Sequence, residues 1–263
     1  MTKLLPLIAL LTAPVFAHAG IVREDVPYEL PGGGSAMGLL VYDDDQVTPD
    51  AASPGVLVVP EWWGMTRFAK DQATRAAEAG RVAFVADMYG GRRTTDDPRE
   101  AQALSGAARE TGLAALATAG LEAFAGTGKV DPSAVAAIGF CFGGSTVADL
   151  VRSGAPIAAG VSFHGGLGGD AAPEQPGTYP PLLVLHGGAD PLVKPDALAA
   201  YTQGCLAAGV PLSLVSYPGA KHAFTNPAAD GYGMDATAYD ADAAEHAFAT
   251  AAVFLDGVLG PVE

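Results

Sequence analysis

Six short runs of apolar residues, spaced along the whole chain, constrain its fold more than any other feature. They are Gly55–Pro60, Arg81–Asp87, Val135–Phe140, Ile157–Phe163, Leu182–His186 and Leu212–Tyr217, rich in Val, Ile and Leu. Most are apolar on both faces, as strands are when helices cover the sheet on each side. Between them lie patterns that predict helices over Thr66–Ala79, Pro98 to about Phe124, Gly144–Arg152 and Lys194–Ala208, with a final helix over about Asp242–Leu259. Gly80 and Gly209 stand where a left-handed helix cap is wanted, and Asp97-Pro98 reads as a cap followed by a first-turn proline. Met37–Tyr42 and the segment before it read as edge strands. Alternation of this kind over the full length predicts a single α/β domain, a mostly parallel sheet with right-handed crossovers and helices on both faces.

The remaining chain-level signals narrow the setting. Lys3, the apolar run Leu4–Phe16 and Ala17-His18-Ala19 have the order of a secretory signal, so residues 1–19 are expected to be a leader and 20–263 the mature domain, periplasmic or secreted. The run is too short to span a bilayer and holds Pro6 and Pro14, and no later segment reaches that length. With 14 basic against 29 acidic residues and a net charge of −15, the surface repels phosphate backbones, which argues against nucleic-acid partners. Two cysteines in an oxidising compartment allow one disulfide, but neither sits in a CxxC or in a Cys/His set at zinc spacing. No cofactor, metal or membrane partner is expected, and the protein is expected to be a monomer.

In sheets of this type the chemistry gathers beyond the carboxyl ends of the strands. After Val135–Phe140 comes Gly139-Phe140-Cys141-Phe142-Gly143-Gly144, a strand–turn–helix with a nucleophile at its apex and glycines where a sharp turn needs room. The following helix points the positive end of its dipole at Cys141, favouring a thiolate, and leaves the Phe142 amide free to donate to an oxyanion. Asp190 follows the Leu182 strand and His222 the Leu212 strand, so Cys141, Asp190 and His222 occur in the nucleophile–acid–histidine order of α/β-hydrolases. His222 would serve as general base and then acid, with Asp190 fixing its tautomer. The first strand ends in Pro60-Glu61-Trp62-Trp63-Gly64, whose Trp62 amide is the expected second oxyanion donor. Glu61 itself reads equally well as a helix-start charge. His164 and His186 end strands and read as buried, hydrogen-bonded side chains rather than ligands, Asp87 as a turn cap, His246 as a surface residue and Cys205 as core.

The set Pro60-Glu61-x-x-Gly64, Asp87-Met-Tyr89-Gly90, Gly139-x-Cys141-x-Gly143-Gly144, His186-Gly-x-x-Asp190 and His222-Ala-Phe224 resembles the dienelactone hydrolase family over about Met37–Leu259. The resemblance implies an α/β-hydrolase fold and a Cys141–Asp190–His222 triad acting on small-molecule esters or lactones. It gives Glu61 a role that spacing did not, pairing with the resting Cys141 and receiving its proton when substrate arrives. Trp63, Phe224 and Arg92 are the expected substrate contacts. Members that open dienelactone hold its carboxylate with two arginines. Arg92 or Arg93 supplies the first only out of register, and the second position holds Asn226, which cannot pair with a carboxylate as an arginine does. The expected activity is therefore carboxylic ester or lactone hydrolysis. The competing readings are an exported thiol-redox protein and a non-catalytic binding protein on the same scaffold.

Overall fold

Runs buried on both faces have only a sheet interior to occupy, and that is where this chain places them. The computed structural model describes residues 20–47, 52–167 and 177–261. The expected leader lies outside the described residues. Eight strands form one sheet: β1 (Ile21–Glu29), β2 (Ser35–Asp43), β3 (Ser53–Val59), β4 (Val82–Val85), β5 (Val130–Phe140), β6 (Ala159–Phe163), β7 (Leu182–Gly187) and β8 (Leu212–Tyr217). Their order is β1-β2-β4-β3-β5-β6-β7-β8. The β1–β2 hairpin is antiparallel and joins the sheet antiparallel to β4, and every pair from β4 to β8 is parallel.

Successive residues of β3 show why both faces need cover. Leu57 and Val59 belong to one apolar cluster with Phe84, Leu121, Phe124 and Leu150, while Val56 and Val58 belong to another with Phe140, Phe163 and Leu185. The first face is covered by α3 (Leu113–Gly126), α4 (Phe142–Arg152) and α5 (Pro195–Ala208), the second by α1 (Arg67–Glu78) and α6 (Ala241–Leu259). Small residues let these layers close: Ala243, Ala247 and Ala251 form the buried stripe of α6. Gly80 and Gly209 take positive φ of 79° and 83° at the ends of α1 and α5, a conformation that costs glycine little.

One expected element divides. The pattern from Pro98 to Phe124 is two helices, α2 (Pro98–Thr111) and α3, broken at Gly112 with φ 105° and ψ 112°. A non-helical glycine ends the first ladder, and its carbonyl starts the next by accepting Leu116 N–H. Asp97 caps α2 through Arg99 N–H, with Pro98 in the first turn. Among the described residues no helix is long and apolar enough to cross a membrane.

Candidate active site

Parallel strands β3, β5, β7 and β8 all deliver their carboxyl ends to one rim of the sheet, and the turns there are forced by close approach. Cys141 follows β5 with φ 55° and ψ −113°, a strained backbone for a residue with a Cβ. The strain is held by its own N–H, which donates to Phe163 O at 3.0 Å and to His164 Nδ1 at 3.1 Å. The flanking glycines have no room for a side chain. A Cβ on Gly139 would lie 2.0 Å from Gly143 O, and one on Gly143 would lie 2.1 Å from Val59 O. The turn therefore jams α4 against the end of β3, which brings the Glu61–Met65 loop beside Cys141.

His222 sits after β8. Its backbone is clamped between Ala236 O and Ala238 N–H, so the 234–238 loop fixes its position. Nδ1 lies 2.7 Å from Asp190 Oδ2, and Asp190 Oδ1 accepts Leu192 N–H at 2.8 Å. Both carboxylate oxygens are thus committed. Burial opposes a charged imidazole, but the negative charge of Cys141, the hydrogen bonds to Asp190 and Cys141 and the charge of Asp190 outweigh it, pushing His222 up to about 10. Behind it stands His164, fully buried, whose Nδ1 accepts from Cys141. Its Nε2 must then carry the hydrogen and donate to Thr225 Oγ1 at 2.8 Å. Burial, with His222 nearby, holds this ring well below the usual histidine range, so it stays neutral.

Glu61, 2% exposed, lies on the opposite wall. Its Oε2 accepts Asn226 Nδ2–H at 2.6 Å and the Tyr232 hydroxyl at 3.2 Å. Burial raises its carboxyl to about 7, against the hydrogen bonds from Asn226 and Tyr232 and the positive charge of His222. The resemblance predicted that Glu61 would pair with the resting Cys141. The hydrogen bonds observed come from Asn226 and Tyr232, both to Oε2. Glu61 O accepts Gly64 N–H at 3.0 Å, which turns the other edge of that trans peptide, the Trp62 N–H, away from the turn. Among the described residues neither the Trp62 nor the Phe142 amide has a backbone acceptor.

Cys141, His222 and Glu61 share a cavity of about 180 Å³, walled also by Trp62, Trp63, Leu192, Tyr232 and Met234. Trp63 packs on Trp62 and on Tyr232, each with ring centres 4.9 Å apart. No lysine or arginine is among the described residues that wall it. Two expected substrate contacts fall elsewhere. Arg92 spends its guanidinium on both oxygens of Asp25 and on the carbonyls of Met37 and Gly38, which tie it to the β1–β2 hairpin. Phe224 is fully buried behind His164 and Tyr217, supporting the site from beneath. Asp87 caps its turn as expected, accepting Tyr89, Gly90 and Arg92 N–H. His186 differs from expectation in one respect: it is buried, yet its Nδ1 has no partner among the described residues. Both cysteines are free thiols, with Cys205 inside the core against Tyr201, so the disulfide alternative is not realised. Tyr232, Met234 and Leu192 carried no recognisable signal in the sequence. Asn226 was visible only as a departure from an expected arginine.

The model of the dienelactone hydrolase family matches residues 44–259. A protein of Methylorubrum extorquens assigned as a carboxymethylenebutenolidase is 30% identical over 200 residues, 68% of this chain and 69% of the relative. One from Salmonella typhimurium, assigned the same activity, is 28% identical over 234 residues, 84% and 85% of the two chains. Among solved structures, a dienelactone hydrolase-like promiscuous phosphotriesterase from metagenomic libraries superposes with a TM-score of 0.81 at 32% identity, over 91% of this chain and 99% of that one.

Proposed function

The chain belongs to the dienelactone hydrolase family, and on that premise we propose that it hydrolyses small, uncharged carboxylic esters or lactones through an acyl intermediate on Cys141. The observation that carries this is the convergence of Cys141 and the His222–Asp190 pair on one small cavity. The Cys141 thiolate attacks the carbonyl carbon, and the developing oxyanion is received by the Trp62 and Phe142 amides. Collapse expels the alcohol, which takes its proton from the His222 imidazolium. Water, deprotonated by His222, then cleaves the thioester and releases the acid. Glu61, half-ionised near neutrality, takes the proton that leaves the thiol before attack and returns it to the thiolate released by deacylation. Its charge also opposes a carboxylate-bearing substrate, since no lysine or arginine walls the cavity among the described residues. On this reading residues 1–19 direct the enzyme to the periplasm or the medium.

A second substrate class has an observation of its own. Neutral phosphotriesters meet the same charge requirement, and the structural relative at 32% identity is named for that activity. Paraoxon turnover tests it directly.

The central test uses p-nitrophenyl acetate with purified protein. Cys141→Ala should abolish turnover and iodoacetamide should inactivate the wild type, while Cys205→Ala keeps near-normal rates. Equal losses for the two variants, or an active Cys141→Ala enzyme, would overturn the nucleophile assignment.

A further inference from the structure

The hydrogens that Asn226 and Tyr232 bring to Glu61 can be assigned. Asn226 Oδ1 accepts Ala228 N–H at 2.9 Å, which fixes the side-chain amide with its NH2 turned inward. That NH2 donates one hydrogen to Glu61 Oε2 and the other to the Tyr232 oxygen, both at 2.6 Å. The Tyr232 hydroxyl, having accepted, has its own hydrogen left for Glu61 Oε2 at 3.2 Å. All the donors run one way, toward the carboxyl, and all are uncharged. Tyr232 is held in turn by its ring contact with Trp63 and by the turn that ends at Gly233, φ 65°.

Resting on the cysteine-hydrolase reading above, we propose that Asn226 and Tyr232 are positioning residues, a relay of neutral donors that orients Glu61 and leaves its carboxyl able to take up and release a proton during turnover. A cation at position 226 would keep the carboxylate ionised and make it a poor proton acceptor. No donor at all would let burial keep it protonated. Two neutral hydrogen bonds set the balance between these extremes. The charged and titratable groups facing Glu61 are few: Cys141 from the elbow, His222 from the loop after β8, with Asp190 behind it, and Tyr232 itself. Against burial, the charge of Cys141 and the hydrogen bonds to Asp190 and Cys141 push His222 up to about 10. An acid limb of activity near neutrality therefore belongs to Glu61 and not to His222.

The test is the pH profile of kcat/KM with p-nitrophenyl acetate. The carboxylate form accepts the proton, so activity is present above the limb and falls below it. Tyr232→Phe removes one donor to the carboxylate and should move the acid limb upward by about half to one pH unit. Asn226→Arg should move it downward. Because a long side chain at a site only 2% exposed can disturb folding, the same shift is read independently by carbon NMR titration of the Glu61 carboxyl in Cys141→Ala protein, with and without Tyr232→Phe. A Tyr232→Phe enzyme with a uniformly lower rate but an unmoved limb and carboxyl titration would overturn the relay. So would a Glu61→Gln enzyme that retains the acid limb. An active Cys141→Ala enzyme would instead remove the cysteine reading on which the relay rests.

Discussion

Asp190→Asn tests the triad more sharply than deletion of any one group, because the structure fixes what an amide must do there. In the wild type both carboxylate oxygens are acceptors, Oδ1 for Leu192 N–H at 2.8 Å and Oδ2 for His222 Nδ1–H at 2.7 Å. An amide has one oxygen. If that oxygen keeps Leu192, the NH2 group faces His222, Nδ1 must become the acceptor, and the ring hydrogen moves to Nε2. If it turns to His222 instead, the Leu192 N–H loses its acceptor. The first outcome is favoured, since the alternative also sets the NH2 against Leu192 N–H. A ring protonated at Nε2 and neutral overall can neither take a proton from Cys141 nor be held as imidazolium. The carboxylate that helps raise His222 to about 10 is also gone. The loss in kcat should be about 10³–10⁴, roughly 4–5.5 kcal/mol of barrier. Burst and steady-state kinetics on p-nitrophenyl acetate would measure it, with circular dichroism to confirm the fold. A variant within threefold of wild type at neutral pH would refute both the tautomer argument and the role of Asp190.

Glu61→Gln should slow ester turnover and also change how stability depends on pH. The folded carboxyl, raised to about 7 from 4.5, binds its proton more tightly than the unfolded one, so wild-type stability falls as pH rises from 4.5 to 7 and levels above. That amounts to about 3 kcal/mol, and the melting temperatures of wild type and variant should diverge over this window. Parallel curves would show that Glu61 titrates normally. Gly143→Ala sets a Cβ 2.1 Å from Val59 O and should cost about 1–3 kcal/mol while displacing the Trp62 loop, lowering both melting temperature and activity. An unchanged melting temperature would contradict the packing at the elbow. Neutral lactones should be turned over with higher kcat/KM than carboxylate-bearing lactones of similar size. A preference for the anion would require a lysine or arginine, and none walls the cavity among the described residues.

Much of this protein is dictated locally. The two-sided apolar runs specify a parallel sheet because nothing else buries both faces of so many short strands. The glycines around Cys141 specify a turn because a Cβ at either position would collide with backbone a few ångströms away. The order of Cys141, Asp190 and His222 follows, since each stands directly after a strand and parallel strands end on one rim. Even the separation of α2 from α3 turns on a single residue, Gly112, that a periodic pattern passes over.

What local pattern does not contain is the choice of partner for a long polar side chain. Arg92 follows the Asp87 turn and reads as a cation for substrate, yet its guanidinium reaches back to Asp25, 67 residues away, because the β1–β2 hairpin folds beside it. Glu61 meets Asn226 across 165 residues and Tyr232 across 171, through a loop whose course is set by its clamp on His222 and by ring packing on Trp63. Hydrogen-bond pairing at a buried site is decided by which donors arrive within about 3 Å in competition with every other candidate. That competition is settled only when the loops have packed, so the order of Cys141, Asp190 and His222 could be read along the chain and the surroundings of Glu61 could not.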